Sequence, residues 1–314
     1  MAVTTPIVGG VDNYVNIYSE STWGTRPASP TVLNLPVTGY TVTSQRNSRQ
    51  TQAHYGQFGA VWTHHVNGMP AGQLTGELCG VEPTGSSTSL ADTIIAWAFG
   101  NETSKFLPSY GIEAIEGGIA DHQHNGMRIN TFTLTGAESQ SVNYTLDLMG
   151  KSESVLGDTA TAMSIDMKGF PAFEFSDASI TIDGDAYDMK SFQLQRQNNL
   201  KTHYAGSTNP TVMVRGSRLT SFQVVLFKQN DDWDLIRRAF TETDVPIVLT
   251  IKGRHGGTGA SGTFRKLVFT MPAARYLVPS DAHAFDDLTT VTLPFQCLLN
   301  PSGGNEITYV SSLE

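Results

Sequence analysis

The sequence has few cysteines, few charged residues and no long apolar run, and each shortage excludes a class of protein. Its 314 residues include only two cysteines, Cys79 and Cys297, too few for a disulfide framework or a cysteine-based zinc site. Charged residues make up 16% and hydrophobic residues 39% of the chain, a balance that excludes a disordered chain and a coiled coil. The longest apolar run covers residues 94–99, far short of the ~20 residues of a membrane-spanning helix.

Basic residues are scarce as well, with 20 Lys and Arg against 29 Asp and Glu, for a net charge of −9. Because binding to nucleic acid draws on basic side chains that displace counterions, tight DNA or RNA binding is disfavoured. The first residues lack the basic and apolar regions of a secretory signal, so we expect the chain to stay where it is made. We interpret both cysteines as buried free thiols.

The dominant pattern is an alternation of apolar and polar residues, which indicates β-strands with one face on a core and one face in water. It predicts a mainly β protein. The predicted strands cover residues 41–46, 74–81, 129–135, 142–148, 180–182, 192–196, 219–227, 245–251, 264–271 and 291–297.

Only two stretches have the pattern of a helix. Residues 89–99 begin with Ser89 as N-cap and Asp92 in the position of a capping box, and they end at Gly100. Residues 230–240 have acids at the start and arginines in the last turn, which suits the helix dipole. We predict one helix in each stretch.

The two helices suggest an internal duplication. Residues 45–48 resemble 195–198, residues 94–99 resemble 235–240, and 145–146 resemble 292–293. We predict two modules of about 150 residues, within the usual size of a domain; convergent β patterning is the alternative. The proposed division is an N-terminal arm at 1–36, a first module at 37–150, an acidic Gly/Ser/Thr connector at 151–171 and a second module at 172–314.

Two long loops, 50–72 and 199–216, lie at corresponding places in the predicted modules. The first contains Tyr55, Phe58 and Trp62, and aromatic residues are scarce in disordered segments. We therefore expect an ordered loop that packs on another chain. The alternative is a loop folded back on its own domain.

Motifs with a chemical role are weak. Residues 257–262 spell G-x-G-x-x-G but precede a strand, so they predict a hairpin tip, and Asp183-Gly184-Asp185 predicts a turn. The histidines of 122–124 and 64–65 have no defined third ligand, and we interpret them as loop residues and not as a metal site. We predict no enzyme, no cofactor and no metal, although a glycosidase-like pair of carboxylates stays open.

The N-terminal stretch carries a resemblance to a known family. Glu20-Ser21-Thr22-Trp23-Gly24-Thr25, with the prolines at 27 and 30, and the ending 286–298 resemble the tail tube proteins of long-tailed bacteriophages, of the two-module type. The order of strand, loop, strand and helix is similar over most of the chain. The resemblance implies two tandem β-sandwich modules, each with one short helix, whose strands close into a ring-shaped β-barrel when the chains assemble.

The resemblance also implies a function and partners. The chain would be a structural virion protein, assembled in the bacterial cytoplasm, that forms rings of three two-module chains. These rings stack into the channel for DNA ejection, with a tape measure protein and a tail terminator as further partners, no membrane, and double-stranded DNA passing without specific binding. The candidate residues for contacts between rings are Tyr55, Phe58, Trp62 and Tyr204. The candidate residues for the lumen are Thr133, Asn143, Asp147, Gln193 and Gln223.

Two other readings remain open from the sequence alone. One is a tail terminator or hub protein, which would differ from a tube subunit in its copy number per virion. The other is a phage β-sandwich protein that binds carbohydrate, with Trp23 and Trp62 as stacking platforms.

Overall fold

The fold is described from a computed structural model of the chain. It describes the residues 14–50, 63–80, 89–101, 104–116, 119–155, 172–228, 244–253, 265–277, 280–282, 289–300 and 304–313. Twenty strands, the helix α1 at Leu90–Phe99 and a 3-10 turn at Phe175–Asp177 make up the secondary structure of these residues. The mainly β fold class is thereby confirmed.

The strands fall into a first half, residues 14–155, and a second half, residues 172–313. In the first half they are β1 Tyr14–Ser19, β2 Val32–Leu35, β3 Gly39–Tyr40, β4 Thr43–Gln50, β5 Thr63–Glu77, β6 Tyr110–Glu116, β7 Ile119–Ala137, β8 Asn143–Met149 and β9 Ser152–Val155. In the second half they are β10 Ala178–Ile182, β11 Asp185–Tyr187, β12 Met189–Gln197, β13 Lys201–His203, β14 Val212–Val214, β15 Leu219–Phe227, β16 Asp244–Lys252, β17 Arg265–Tyr276, β18 Ser280–Ala282, β19 Thr290–Cys297 and β20 Thr308–Leu313.

The two halves contain the same order of strand pairing. In the first half β2 pairs with β1, β1 with β6, and β6 with β7, which also pairs with β9 and β8; β8 then pairs with β5, and β5 with β4. In the second half β11 pairs with β10, β10 with β16, and β16 with β17, which also pairs with β20 and β19; β19 then pairs with β15, and β15 with β12. All these pairs are antiparallel.

One continuous sheet crosses from the first half into the second. Strand β7 pairs with β12 over seven residues, from Thr131 opposite Gln197 to Ala137 opposite Ser191. Because β18 pairs with β19 beside the end of β17, the sheet has the order β4, β5, β8, β7, β12, β15, β19, β18. Among the described residues the strand order ends there, and they do not form a closed barrel within a single chain.

One hydrophobic core runs through both halves. It includes apolar residues of α1 and of the inward faces of β7, β8, β12, β15, β16, β17 and β19. Cys79 and Cys297 are buried free thiols, as expected, and burial raises the pKa of Cys79 to about 11. Among the described residues, no helix has the length and hydropathy needed to span a membrane.

Most of these local predictions are confirmed, and one is wrong. Helix α1 starts after the N-cap Ser89, with both hydrogen bonds of the capping box to Asp92, and ends at Gly100. The aspartate and glycine at 183–184, both at positive φ, form the turn that joins β10 to β11. Residues 63–72, however, belong to the long strand β5 and not to a loop. The apolar alternation begins only near residue 74, but the pairing of β5 with β4 extends the strand back to Thr63. The predicted helix 230–240 and the hairpin tip 257–262 lie outside the described residues.

Candidate functional site: a polar sheet face with two free edges

The outward face of the eight-stranded sheet is a broad polar surface. Residues paired across neighbouring strands share a face, and the pairing therefore defines three rows. The first row consists of Thr75, Thr145, Thr133, Gln195, Ser221, Gln296 and Arg275. The second consists of Glu77, Asn143, Thr135, Gln193, Gln223 and Pro294, and the third of Gln73, Asp147, Thr131, Gln197 and Leu219.

All five predicted lumen residues lie in these rows, and the structure therefore brings them together on one face. Gln193 and Gln223 are exposed, whereas Thr133, Asn143 and Asp147 are half-buried between their neighbours. The opposite face of the same strands is buried in the core. Their role in a lumen stays a prediction.

Amides and hydroxyls dominate this polar face, and its few charged side chains have polar partners. Gln73 donates to the carboxylate of Asp147 at 2.8 Å, and Ser141 donates to Glu77 at 2.9 Å. Arg275 forms an ion pair with Asp244 at 2.8 Å. The face is thus well hydrated and nearly neutral, with Glu77 and Asp147 as the acids of the three rows.

The two ends of this sheet have free edges. Within the described part of the chain, β4 pairs with β5 alone and β18 pairs with β19 alone. An unpaired strand edge presents a row of backbone donors and acceptors to a further strand. At the centre of the sheet the same kind of edge is covered, since β7 and β12 join the two halves there.

Helix α1 lies between the two halves. Every residue of the helix except Ala96 is buried, which is the pattern of a helix enclosed in a core. On the first half, Trp97 donates to the carbonyl of Met127 at 3.3 Å. On the second half, Arg265 of β17 forms an ion pair with Asp92 at 2.6 Å.

The end of α1 has further contacts with the second half. The guanidinium of Arg196 lies 4.6 Å from the ring centroid of Phe99, and the ring of Tyr309 lies 6.2 Å from that of Phe99. Asn198 donates to the carbonyl of Ala98 at 3.0 Å. Burial lowers the pKa of Arg196 to about 10, although Glu306 opposes this shift.

These buried polar residues were missed by the sequence analysis. Arg196 occupies a core-facing position of the alternating strand, after Phe192 and Leu194. An arginine at an apolar position of the alternation was the available signal. The arginine is buried because it contacts a helix about a hundred residues away, and such a contact leaves no pattern in the sequence near residue 196.

The predicted loop at 199–216 folds onto its own chain. It contains the small hairpin of β13 and β14, in which Met213 is buried with Leu107 and Leu200. The amide of Gly68 in β5 donates to the carbonyl of Thr208 at 2.7 Å. Tyr204 stays half-exposed in the turn of this hairpin. Tyr55, Phe58 and Trp62 lie outside the described residues, so contacts between rings stay a prediction.

The N-terminal segment that carries the family resemblance is a structural clamp. The carboxylate of Glu20 accepts hydrogen bonds from the amides of Gly24 and Gly126, each at 2.8 Å. The guanidinium of Arg128 and the ammonium of Lys151 each contact the ring of Trp23, at 4.9 and 5.0 Å from the ring centroid. The segment therefore ties the arm to β7.

The histidines at 122 and 124 lie in strand β7, so their interpretation as loop residues is wrong. His122 contacts Glu153 at 2.7 Å, and Tyr40 contacts Nδ1 of His124 at 2.7 Å. Burial lowers the pKa of His124 to about 4, with Glu153 opposing the shift and His122 adding to it. No cluster of three or more metal-ligating side chains occurs among the described residues.

A comparison with protein-family models gives a match over nearly the whole chain. A family model described as phage tail tube protein matches residues 10–297, which is nearly the whole chain. A search of curated proteins gives no match. The match covers the first half, the second half as far as the end of β19, the polar face and both free edges.

Proposed function

The chain belongs to the phage tail tube protein family, as a structural subunit that assembles into the stacked tube of the virion tail, and we propose that three copies form each ring of that tube. The family match favours this role over a terminator, a hub or a carbohydrate-binding protein. We also propose that the chain acts without catalysis, as expected of a structural family.

The pairing of β7 with β12 is the observation that carries the proposal. It joins the two halves of one chain through a regular antiparallel pair, while within the described part of the chain both ends of the same sheet keep a free edge. Strand direction alternates along the eight strands, so β18 of one copy would run antiparallel to β4 of the next. The repeated pairing order supports the predicted duplication. In it, β18 is the counterpart of the end of β7, and β4 is the counterpart of β12.

Closure of this sheet would follow from three such joints. Eight strands from each of three copies would complete a barrel, and barrels beyond ~16 strands leave an aqueous channel. Closure also removes the exposed strand edges, which otherwise promote uncontrolled pairing. The core lies on the other side of the sheet, so the polar face would line the channel.

The chemistry of the polar face suits the passage of DNA. Amides and hydroxyls offer no counterion-releasing contact to phosphates, and Asp147 and Glu77 would repel them. DNA would therefore pass without specific binding. From the family role alone, we also propose a tape measure protein and a tail terminator as partners, and assembly in the host cytoplasm.

Electron microscopy of the purified protein tests the ring directly. We expect rings or short tubes whose number rises with protein concentration. Monomers alone, at all protein and salt concentrations, would contradict the proposal.

A charge reversal on the polar face tests the lumen separately. Virions with Asp147→Lys should assemble normally and eject DNA more slowly, because the lysine attracts phosphates. The matched control is Ser179→Lys, at an exposed position of β10 outside the eight-stranded sheet, which should eject normally. Normal ejection by the Asp147 variant would show that this face does not line the channel.

A further inference from the structure

The strands of the eight-stranded sheet end in two surfaces that differ in charge and in shape. Strands β12 and β15 each have nine residues and pair side by side, so the two ends of this pair lie roughly 25–30 Å apart. The connection from β12 to β15 lies at one end, which we call the hairpin end. The turn after β7, the start of β12 and the end of β15 lie at the other end, which we call the groove end.

The hairpin of β13 and β14 covers strand ends at the hairpin end. Its residue Met213 is buried with Leu107 and Leu200, and this cluster packs against Met149, the last residue of β8. The amide of Gly68 in β5 donates to a carbonyl in the turn of the hairpin. The hairpin is thereby held on its own chain, with one face toward the sheet and the other face away from it.

The outward face of this hairpin is basic and partly apolar. The residue pairs on either side of Met213, Lys201 with Val214 and His203 with Val212, lie on the face opposite to it. Lys201, His203 and Val212 are exposed. The whole connection between β12 and β15 contains lysine and arginine but no Asp or Glu. The hairpin end therefore presents positive charge beside an apolar side chain.

The groove end has an apolar groove with acidic residues around it. The groove has a volume of about 860 Å³, with Phe175, Met189 and Phe227 among its apolar lining residues and Glu138 and Asp188 as its lining acids. Glu138 and Asp188 are exposed. Acids outnumber bases at this end, which contains Glu77, Glu138, Glu174, Asp177 and Asp188 against Lys190 and Lys228. The groove end therefore has an excess of negative charge.

We propose that the hairpin of one copy docks in the groove of a copy in the next ring of the tube. The inference rests on the proposed ring. Opposite charge at the two ends favours the contact of hairpin with groove, because contacts of two like ends bring like charges together. A contact between two different surfaces repeats along an open filament, so every ring of the tube has the same direction. Tyr204, a sequence-based candidate for contacts between rings, lies in the turn of this hairpin.

The side chains of the two surfaces are complementary. Val212 would enter the groove beside Met189 and Phe227, and Lys201 would face the carboxylate of Glu138. The apolar contact supplies affinity, whereas the charged pair mainly sets the association rate and the choice of partner. These contacts use the wall of the groove that the ends of β7, β12 and β15 provide, and not the part that β10 lines.

Charge reversal tests the contact in the assembled protein. Lys201→Glu and Glu138→Lys should each form rings but raise the protein concentration needed for tubes roughly tenfold or more, because the like-charge contact is repeated in every copy around the ring. Rings of the two variants, once mixed, should form tubes near the wild-type concentration, because the reversed hairpin of one matches the reversed groove of the other. Tube number and length are measured by electron microscopy.

The matched controls are Val310→Glu and Val310→Lys, at an exposed position of β20 outside the eight-stranded sheet. They introduce the same charged side chains, and we expect them to form tubes as the wild type does. Tubes formed by Lys201→Glu and Glu138→Lys alone at the wild-type concentration would overturn the docking inference. Mixed rings that form no tubes would overturn it as well.

Hydrogen exchange on the wild-type protein keeps the test independent of the variants. Amides of residues 201–214 should exchange more slowly in tubes than in single rings, because a docked hairpin opens less often. Equal exchange in rings and tubes would overturn the docking inference. Absence of rings from the wild-type protein would instead refute the proposed ring, so the two failures are distinguishable.

Discussion

The ion pair between Arg265 and Asp92 should contribute strongly to the union of the two halves. Its atoms lie 2.6 Å apart, and the side chains are only 5% and 12% exposed. Arg265→Met keeps most of the side-chain volume and leaves the Asp92 carboxylate buried without this guanidinium. Removing one partner of a buried pair costs about 3–5 kcal/mol. Native domains are stable by about 5–15 kcal/mol, so this loss is large.

The assay is unfolding by denaturant and by heat. For a chain of this size the expected loss corresponds to a fall in Tm of roughly 10 °C. The double variant Arg265→Met with Asp92→Asn should recover about 1–3 kcal/mol of that loss, because no uncompensated charge then stays buried. A change below about 0.5 kcal/mol in Arg265→Met would refute the assignment of this pair as a buried joint between the halves.

Three further predictions concern the first half. The pKa of His124 in the folded chain, about 4, lies below its ordinary value of 6.5. The neutral, buried imidazole therefore contributes about 3 kcal/mol to the free energy of unfolding above pH 6.5, and this contribution is lost as the pH falls toward 4. Urea titrations should show that H124F lacks this loss, and an equal acid sensitivity of H124F and the wild type would contradict the reasoning. Gly126→Ala should lower the free energy of unfolding by about 3 kcal/mol, because φ is +73° and a Cβ would lie 2.7 Å from two side chains. The control Gly184→Ala, at φ +90° with open space around it, should lower it by only about 1 kcal/mol. Similar melting temperatures of the two variants would count against the clamp. Glu20→Ala should cost about 2 kcal/mol through its two lost amide hydrogen bonds, and an unchanged unfolding midpoint would show that the clamp does not stabilise the arm.

Local patterns predict local structure well in this chain. The alternation gives the strands around Leu146, Leu194 and Leu293, and the capping box gives the start of α1 at Ser89. These features depend on side-chain direction and on hydrogen bonds within a few residues, which a short stretch of sequence contains. The five lumen candidates share one face for the same reason.

The remaining features depend on contacts between distant segments. The extension of β5 to Thr63 follows from its pairing with β4, and the place of α1 follows from Arg196 and Arg265 of the second half. Neither strand length nor helix docking has a local signature. The two free edges also emerge only after every pairing is known.

A rotational class average of the assembled particle, viewed end on, tests the central claim most directly. The account predicts a hollow ring of three chains, with six similar lobes that correspond to the two halves of each chain. A ring of six chains, or a compact particle without a channel, would contradict it.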